Sequence, residues 1–227
     1  MANYVLVQGG NISTDTWNKL TQRNEYPDGG HLGGEYWKYN VAGLERQGHR
    51  VFAPTLEDEN SNNLSDHVEQ ICALIVKEKL KKIILVGHSY GGMVITGVAS
   101  KIPERIGLLV YLDADFPDPG QSLFDILTIA GFNPEEVVGG APIAYTEKLF
   151  FDPEKIKSLS KAYVLCTESE FRSVTDLAIQ KINFDNKDWS YFELPTSHIA
   201  QATMPDRLTE VLLDLEKLIK RDNTLLH

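Results

Sequence analysis

Ile83-Ile84-Leu85-Val86-Gly87-His88-Ser89-Tyr90-Gly91-Gly92-Met93 is the most informative stretch of the chain. Its first four residues are an unbroken aliphatic run, the composition of a strand buried on both faces. The next five match G-x-S-x-G, and Met93 to Ala99 is a small, apolar, helix-like segment. Taken alone the five-residue match is weak, because about 0.08 chance matches are expected in a chain of such length. Its setting gives it meaning. Between a buried strand and a helix, the serine of such a motif occupies a strained turn and projects its hydroxyl above the sheet. Gly87 and Gly91 remove side chains that would collide there. Ser89 is therefore the candidate nucleophile of a nucleophile elbow.

The same pattern of short apolar runs extends along the chain in both directions. Strands are predicted at Tyr4 to Val7, Arg50 to Ala53, Ile83 to Val86, Ile106 to Leu112, Tyr163 to Cys166 and Trp189 to Leu194, each read as buried on both faces. Segments of helical period lie between them. Trp37, Val41 and Leu44 fall at i, i+4 and i+7, as do Val68, Ile71 and Ile75. A C-terminal stripe of Leu208, Val211, Leu212, Leu215, Leu218 and Ile219 follows Pro205, a residue suited to a first helical turn. Alternation of this kind predicts an α/β fold, a mostly parallel sheet flanked by helices. Two long interruptions stand out, Asn11 to Leu32 and Phe116 to about Ser160. The second, with helical pieces at Leu123 to Ile129 and Pro153 to Leu159, is expected to form a small cap inserted after the fourth strand. One domain over residues 1–227 accommodates all of this.

Composition narrows the function classes. The 227 residues are 42% hydrophobic and 24% charged, values of an ordinary globular chain with a proper core. A net charge of −10 disfavours nucleic acid, whose phosphates require a basic face. No apolar run approaches the ~18 residues of a membrane span, and Met1-Ala2-Asn3-Tyr4 lacks the features of a signal peptide. A cytoplasmic location without membrane association is the expectation. Cys72 and Cys166 form no CxxC, so neither a disulfide framework nor a zinc site is suggested.

A serine hydroxyl needs a base, and the best placed of six histidines is His198. It follows the last strand, in Pro195-Thr196-Ser197-His198, among the carboxyl-end loops where parallel sheets bind ligands. His49 precedes a strand, His67 sits in a helix, His88 lies inside the elbow and His227 is terminal. His31, in the first interruption, could line the pocket without serving as the base. A carboxylate must orient the imidazole. Glu168 and Glu170 follow the fifth strand, while Asp113 and Asp115 follow the fourth.

With these residues in hand, the chain resembles the α/β-hydrolase superfamily, in particular the small-cap branch of plant methylesterases, hydroxynitrile lyases and bacterial esterase-like relatives. The resemblance rests on Tyr4-Val5-Leu6-Val7-Gln8-Gly9-Gly10, on Gly43 to Leu56, on Leu85 to Met93, on Val110-Tyr111-Leu112-Asp113-Ala114-Asp115-Phe116-Pro117, and on the His198 turn. It implies an α/β-hydrolase fold and an acid 28 positions before the histidine, which selects Glu170, with Glu168 and Asp113 as alternatives. It also implies an oxyanion hole at the backbone N–H groups of Gly10 and Tyr90. The family usually has aspartate at the acid position, and a His-Gly pair where this chain has Gln8-Gly9-Gly10. Asn11 to Leu32 is an insertion relative to that pattern, and it begins beside the oxyanion loop.

Together these expectations describe a serine hydrolase, a carboxylesterase for a small apolar ester, needing no metal or cofactor. Other activities on the same scaffold are thioester or lactone hydrolysis, hydroxynitrile-lyase chemistry, or ligand binding without turnover. The lyases carry a lysine after the histidine and a threonine in the oxyanion loop, where this chain has Ile199 and Gly10. The remaining motifs have plain readings. Gly29-Gly30 and Gly33-Gly34 lack the lysine of a phosphate-binding loop and read as turns. Lys77 to Lys82 reads as a solvated helix end. The sequons at Asn11 and Asn63 carry no weight without a secretory signal. Acyl preference and oligomeric state are not legible.

Overall fold

Six parallel strands in the order β2-β1-β3-β4-β5-β6 form the centre of the protein. The computed structural model describes residues 1–182 and 188–222, with side chains through residue 217. Along the chain, β1 (Asn3–Val7) leads into α1 (Thr14–Thr21), then α2 (Lys38–Arg46), β2 (Arg50–Phe52), α3 (Leu64–Lys77) and β3 (Ile83–His88). The elbow opens α4 (Gly91–Lys101), which is followed by β4 (Ile106–Leu112). Four short helices come next, α5 (Leu123–Ile129), α6 (Pro134–Val138), α7 (Ile143–Thr146) and α8 (Glu154–Lys157). The chain closes with β5 (Lys161–Cys166), α9 (Arg172–Gln180), β6 (Trp189–Leu194), α10 (Ala200–Thr203) and α11 (Pro205–Asp222).

The period of two in each strand divides the core in half. Val5, Val7, Ile83, Leu85, Leu109, Tyr111, Tyr163 and Leu165 point to the face covered by α3 and α4. Tyr4, Leu6, Ile84, Val86, Leu108, Val110, Ala162 and Val164 point to the other, under Trp37, Leu44 and the stripe Leu208, Val211, Leu212 and Leu215 of α11. An aliphatic side chain buried this way contributes about 1.5–3 kcal/mol, so these continuous runs commit β1, β3, β4 and β5 to a sheet covered on both sides. Leu218 and Ile219, expected to extend the α11 stripe, have side chains outside the described residues, and His227 lies outside them altogether.

Three departures from the sequence reading have simple causes. First, β2 and β6 are not buried on both faces: Arg50, Tyr191 and Glu193 are exposed, because these strands form the sheet edges. Second, β3 continues two residues past Val86, since Gly87 and His88 still pair with Tyr111 and Leu112. Third, the segment between β4 and β5 holds α6 and α7 in addition to the two helical pieces expected. Leu123, Ile126, Leu127, Tyr145 and Leu149 anchor this cap to the core on the α4 face. A capping box between Ser122 and Asp125 starts α5, satisfying donors that the first turn leaves free.

The segment from Asn11 to Leu32 is folded as well. Its two ends pair, with Leu32 N–H donating to the Ile12 carbonyl (3.0 Å) and Thr14 N–H to the Gly30 carbonyl (2.9 Å). Trp17 of α1 is fully buried, and its indole N–H reaches Glu25 at 3.0 Å.

Candidate active site

The carboxyl ends of β1, β3 and β4 converge with the turn after β6 on one cavity of about 410 Å³. Ser89 and His198 both line it, as do Gly10, Tyr90, Asp113 and Asp115. Ser89 holds φ at 53°, the left-handed region that β-carbon sterics normally disfavour. The glycines explain how the turn closes so tightly. A Cβ on Gly87 would stand 2.4 Å from the Gly91 carbonyl oxygen, and one on Gly91 would stand 2.7 Å from that of Gln8. Bonds to β4 and to the first turn of α4 fix the serine from both sides: its N–H donates to Leu112 O (3.3 Å), and its carbonyl accepts from Gly92 N–H (2.8 Å). Its hydroxyl makes no hydrogen bond to a described residue.

Asp113 also has positive φ, 41°, at the end of β4. That bend, of a kind costing on the order of 1–3 kcal/mol, lets its carboxylate serve two donors. Oδ2 accepts from His198 Nδ1 at 2.7 Å, and Oδ1 accepts from the Cys166 N–H at 3.0 Å. The carboxylate partner of the imidazole is thus Asp113 and not Glu170, the residue selected by the family spacing. Glu170 is exposed and accepts only from the His198 backbone N–H, at 3.3 Å. Glu168 is exposed too, its backbone bonded to Thr196. The cause is reach. The ends of β4 and β5 lie side by side, and the His198 ring, packed edge-on against Phe171 at 4.7 Å, presents Nδ1 to the former.

His88 does more than fill the elbow. It is buried, and its Nε2 lies 2.9 Å from the His198 carbonyl, an atom that can only accept. Nε2 therefore carries the hydrogen. Burial, reinforced by the neighbouring His198, holds this imidazole well below the usual histidine range, so Nδ1 is a bare acceptor. The Tyr36 hydroxyl donates to it at 3.1 Å and accepts the Gly9 N–H at 2.6 Å. One neutral ring thereby ties the first loop to the histidine turn. On the opposite side, His67 Nε2 donates to the Glu57 carbonyl and Nδ1 accepts from the Tyr90 hydroxyl, both at 2.9 Å. Neither brace is visible in the sequence, where position argues against His88 and His67 as the base; a polar ring flanking the candidate nucleophile is the one available signal.

Between these braces, Gly10 and Tyr90 line the cavity, and their N–H groups donate to no acceptor among the described residues. Gln8 turns away from them, accepting the Leu56 N–H at 3.1 Å. The insertion contributes Asn11, Ile12 and Thr16 to the wall, and the cap contributes Leu123, Leu127 and Val138 among others. His31 is exposed and does not line the cavity. Among the described residues no cluster of three or more metal-binding side chains occurs, and no helix is long and apolar enough to cross a membrane. Cys72 and Cys166 are free and buried.

Comparison with known proteins places these features in context. A family model described as "Alpha/beta hydrolase family" matches residues 27–213. The carbendazim hydrolyzing esterase of Nocardioides sp. is 39% identical over 160 residues, which cover 65% of this chain and 57% of that protein. Polyneuridine aldehyde esterase of Rauvolfia serpentina is 32% identical over 106 residues, 42% of this chain and 39% of the relative. The matched regions thus span less than two thirds of these relatives' lengths. Among solved structures, a pyrethroid hydrolase from Sphingobium faniae superposes with a TM-score of 0.69 at 16% identity, covering 94% of this chain and 96% of the other. An extracellular α/β-hydrolase from a Paenibacillus species gives 0.67 at 20% identity, over 94% and 98%. At such identities the structural likeness concerns the fold.

Proposed function

The chain belongs to the α/β-hydrolase family, and from that premise we propose that it is a serine carboxylesterase acting on small, largely apolar esters. One observation carries the proposal. The strained Ser89 shares a cavity with an imidazole whose far nitrogen is held by a buried carboxylate at 2.7 Å. Apolar lining by Ile12, Leu123, Leu127, Val138, Phe171 and Val174 supports an apolar substrate. The esterase names of the partial relatives support ester chemistry.

Ser89 Oγ attacks the acyl carbonyl while His198 Nε2 takes its proton; Asp113 keeps the hydrogen on Nδ1 and stabilises the imidazolium that forms. The N–H groups of Gly10 and Tyr90, having no acceptor of their own, are disposed to receive the developing oxyanion, and their fixed backbone avoids reorganisation at that moment. The imidazolium then protonates the departing alcohol. Water, deprotonated by the same ring, releases the acid and restores Ser89. Neither metal nor cofactor is required by this sequence of steps. No lysine or arginine lines the cavity among the described residues, and Ile199 occupies the place where the related lyases carry a lysine. Ester hydrolysis is favoured accordingly.

Ser89→Ala is expected to abolish turnover of short p-nitrophenyl esters and covalent labelling by a fluorophosphonate. Persistence of either in the folded variant would overturn the proposal.

A further inference from the structure

Asp115 has no place in the chemistry above, yet it lies in the cavity wall with Asp113, Val174 and His198. It is 4% exposed, Oδ2 is sealed from solvent, and neither carboxylate oxygen accepts a hydrogen bond from a described residue. A buried ionised carboxylate without donors costs several kcal/mol, so a side chain of this kind is ordinarily satisfied by its surroundings. Nearby donors are committed elsewhere. Lys181 bonds the Phe116 carbonyl at 3.0 Å and pairs with Asp118 at 2.8 Å, and the His198 Nδ1 hydrogen goes to Asp113.

The remaining lining has the same sign. Its ionisable residues are Glu59, Asp113, Asp115, His198, His88, which burial keeps neutral, and Tyr90 and Tyr145, whose hydroxyls burial keeps protonated. Carboxylates in a low-dielectric wall, with no lysine or arginine among the lining residues, repel anionic groups and attract cations. An incoming group that supplies both a positive charge and an N–H would meet what Asp115 lacks.

We propose that the substrate is an ester bearing a basic, N–H-donating nitrogen on its acyl or alcohol part, and that Asp115 is the residue that receives this nitrogen. This inference rests on the esterase reading above and adds one positively charged group to an otherwise apolar ester. Burial, partly opposed by the charges of His198 and Lys181 and reinforced by Asp113, pushes the Asp115 carboxyl up to about 7. The carboxyl gains its charge as pH rises through that value, so preference for a cation grows in the same direction.

Two matched pairs of esters test the inference: the acetates of 3-(aminomethyl)phenol and 3-ethylphenol, and the methyl esters of 3-(aminomethyl)benzoic and 3-ethylbenzoic acid. Within each pair an ammonium replaces a methyl group. Rates are divided by uncatalysed hydrolysis, and the readout is the ammonium-to-ethyl ratio of kcat/KM. At pH 8 the ratio should reach at least about tenfold in one pair, the range of a charge-assisted hydrogen bond, and should shrink at pH 6. In Asp115→Asn the ratio should fall towards one and lose its pH dependence. An ethyl preference in both pairs at pH 8, or a ratio unchanged in Asp115→Asn, overturns the inference. Calorimetric binding of the same pairs to Ser89→Ala reads the preference without turnover and does not depend on Asp115→Asn folding. Tighter binding of the ammonium compound supports the assignment, and equal binding refutes it. Undiminished hydrolysis by Ser89→Ala would instead sink the esterase reading, leaving the binding comparison to stand by itself.

Discussion

Replacing Asp113 by asparagine asks the protein to serve two donors with one oxygen. In the wild type, Oδ1 receives the Cys166 N–H at 3.0 Å and Oδ2 receives His198 Nδ1–H at 2.7 Å. If the asparagine carbonyl stays on Cys166, its NH₂ faces Nδ1, and the imidazole must move its hydrogen to Nε2. That tautomer cannot accept the Ser89 proton. If the amide flips, Nδ1–H keeps its acceptor but NH₂ meets the Cys166 N–H inside the core, where an unsatisfied donor costs about 1–3 kcal/mol. The first arrangement is cheaper, and kcat should fall by about 10³- to 10⁴-fold, equivalent to about 4–5 kcal/mol of activation free energy. Glu170→Gln provides the contrast. Glutamine still offers an acceptor to the His198 N–H, and the exposed change of charge is worth less than ~1 kcal/mol, so activity should stay within about fivefold. Saturation kinetics on p-nitrophenyl acetate, with thermal melts of all three proteins, make the comparison. A loss beyond about a hundredfold in Glu170→Gln, with Asp113→Asn within tenfold, would transfer the orienting role to Glu170 and refute the geometry as the guide.

Two predictions concern stability. The Asp115 carboxyl stands at about 7 when folded and near ~3.9 when unfolded, so the native state binds the extra proton between those values. The stabilisation is full below about pH 4 and is lost as pH rises through about 7. From pH 5 to pH 8 the wild type should lose on the order of 3 kcal/mol through this group, and the melting temperature of Asp115→Asn should gain on the wild type by roughly 5–10 °C. A constant difference across that range would remove the premise of an unsatisfied carboxylate. His88 has the opposite sign. Its folded value is depressed below an unfolded value near ~6.5, so stability is full above that pH and declines as acid is added. His88→Leu should flatten this decline. At pH 8 it should cost about 2–6 kcal/mol in urea unfolding, because the Tyr36 hydroxyl and the His198 carbonyl each lose a buried partner. A loss below ~1 kcal/mol at pH 8 would mean that the ring braces nothing.

Local sequence was sufficient for the architecture because the physical causes are local. Val5, Ile84, Val110 and Val164 belong to runs that only a strand covered on both faces can bury, and their order along the chain, broken by helical periods, leaves a parallel sheet as the outcome. The elbow at Ser89 was legible because its G-x-S-x-G pattern sits between an aliphatic run and a helix-like segment, and the Gly87 demand lies within those five residues, although Gly91 answers to the distant Gln8 carbonyl. His198 was legible by its place after the last strand. Which carboxylate meets its ring was not. Asp113 lies 85 positions from His198, and Glu170 lies 28 away. Proximity along the chain and family habit both favoured the second. The choice depends on neighbouring strand ends, a positive φ at Asp113 and a ring orientation set by Phe171. None of these exists before the sheet assembles. The same holds for the His88 tautomer and for the unpaired state of Asp115, because a hydrogen-bond inventory belongs to the packed molecule, whereas hydrophobic period belongs to the chain.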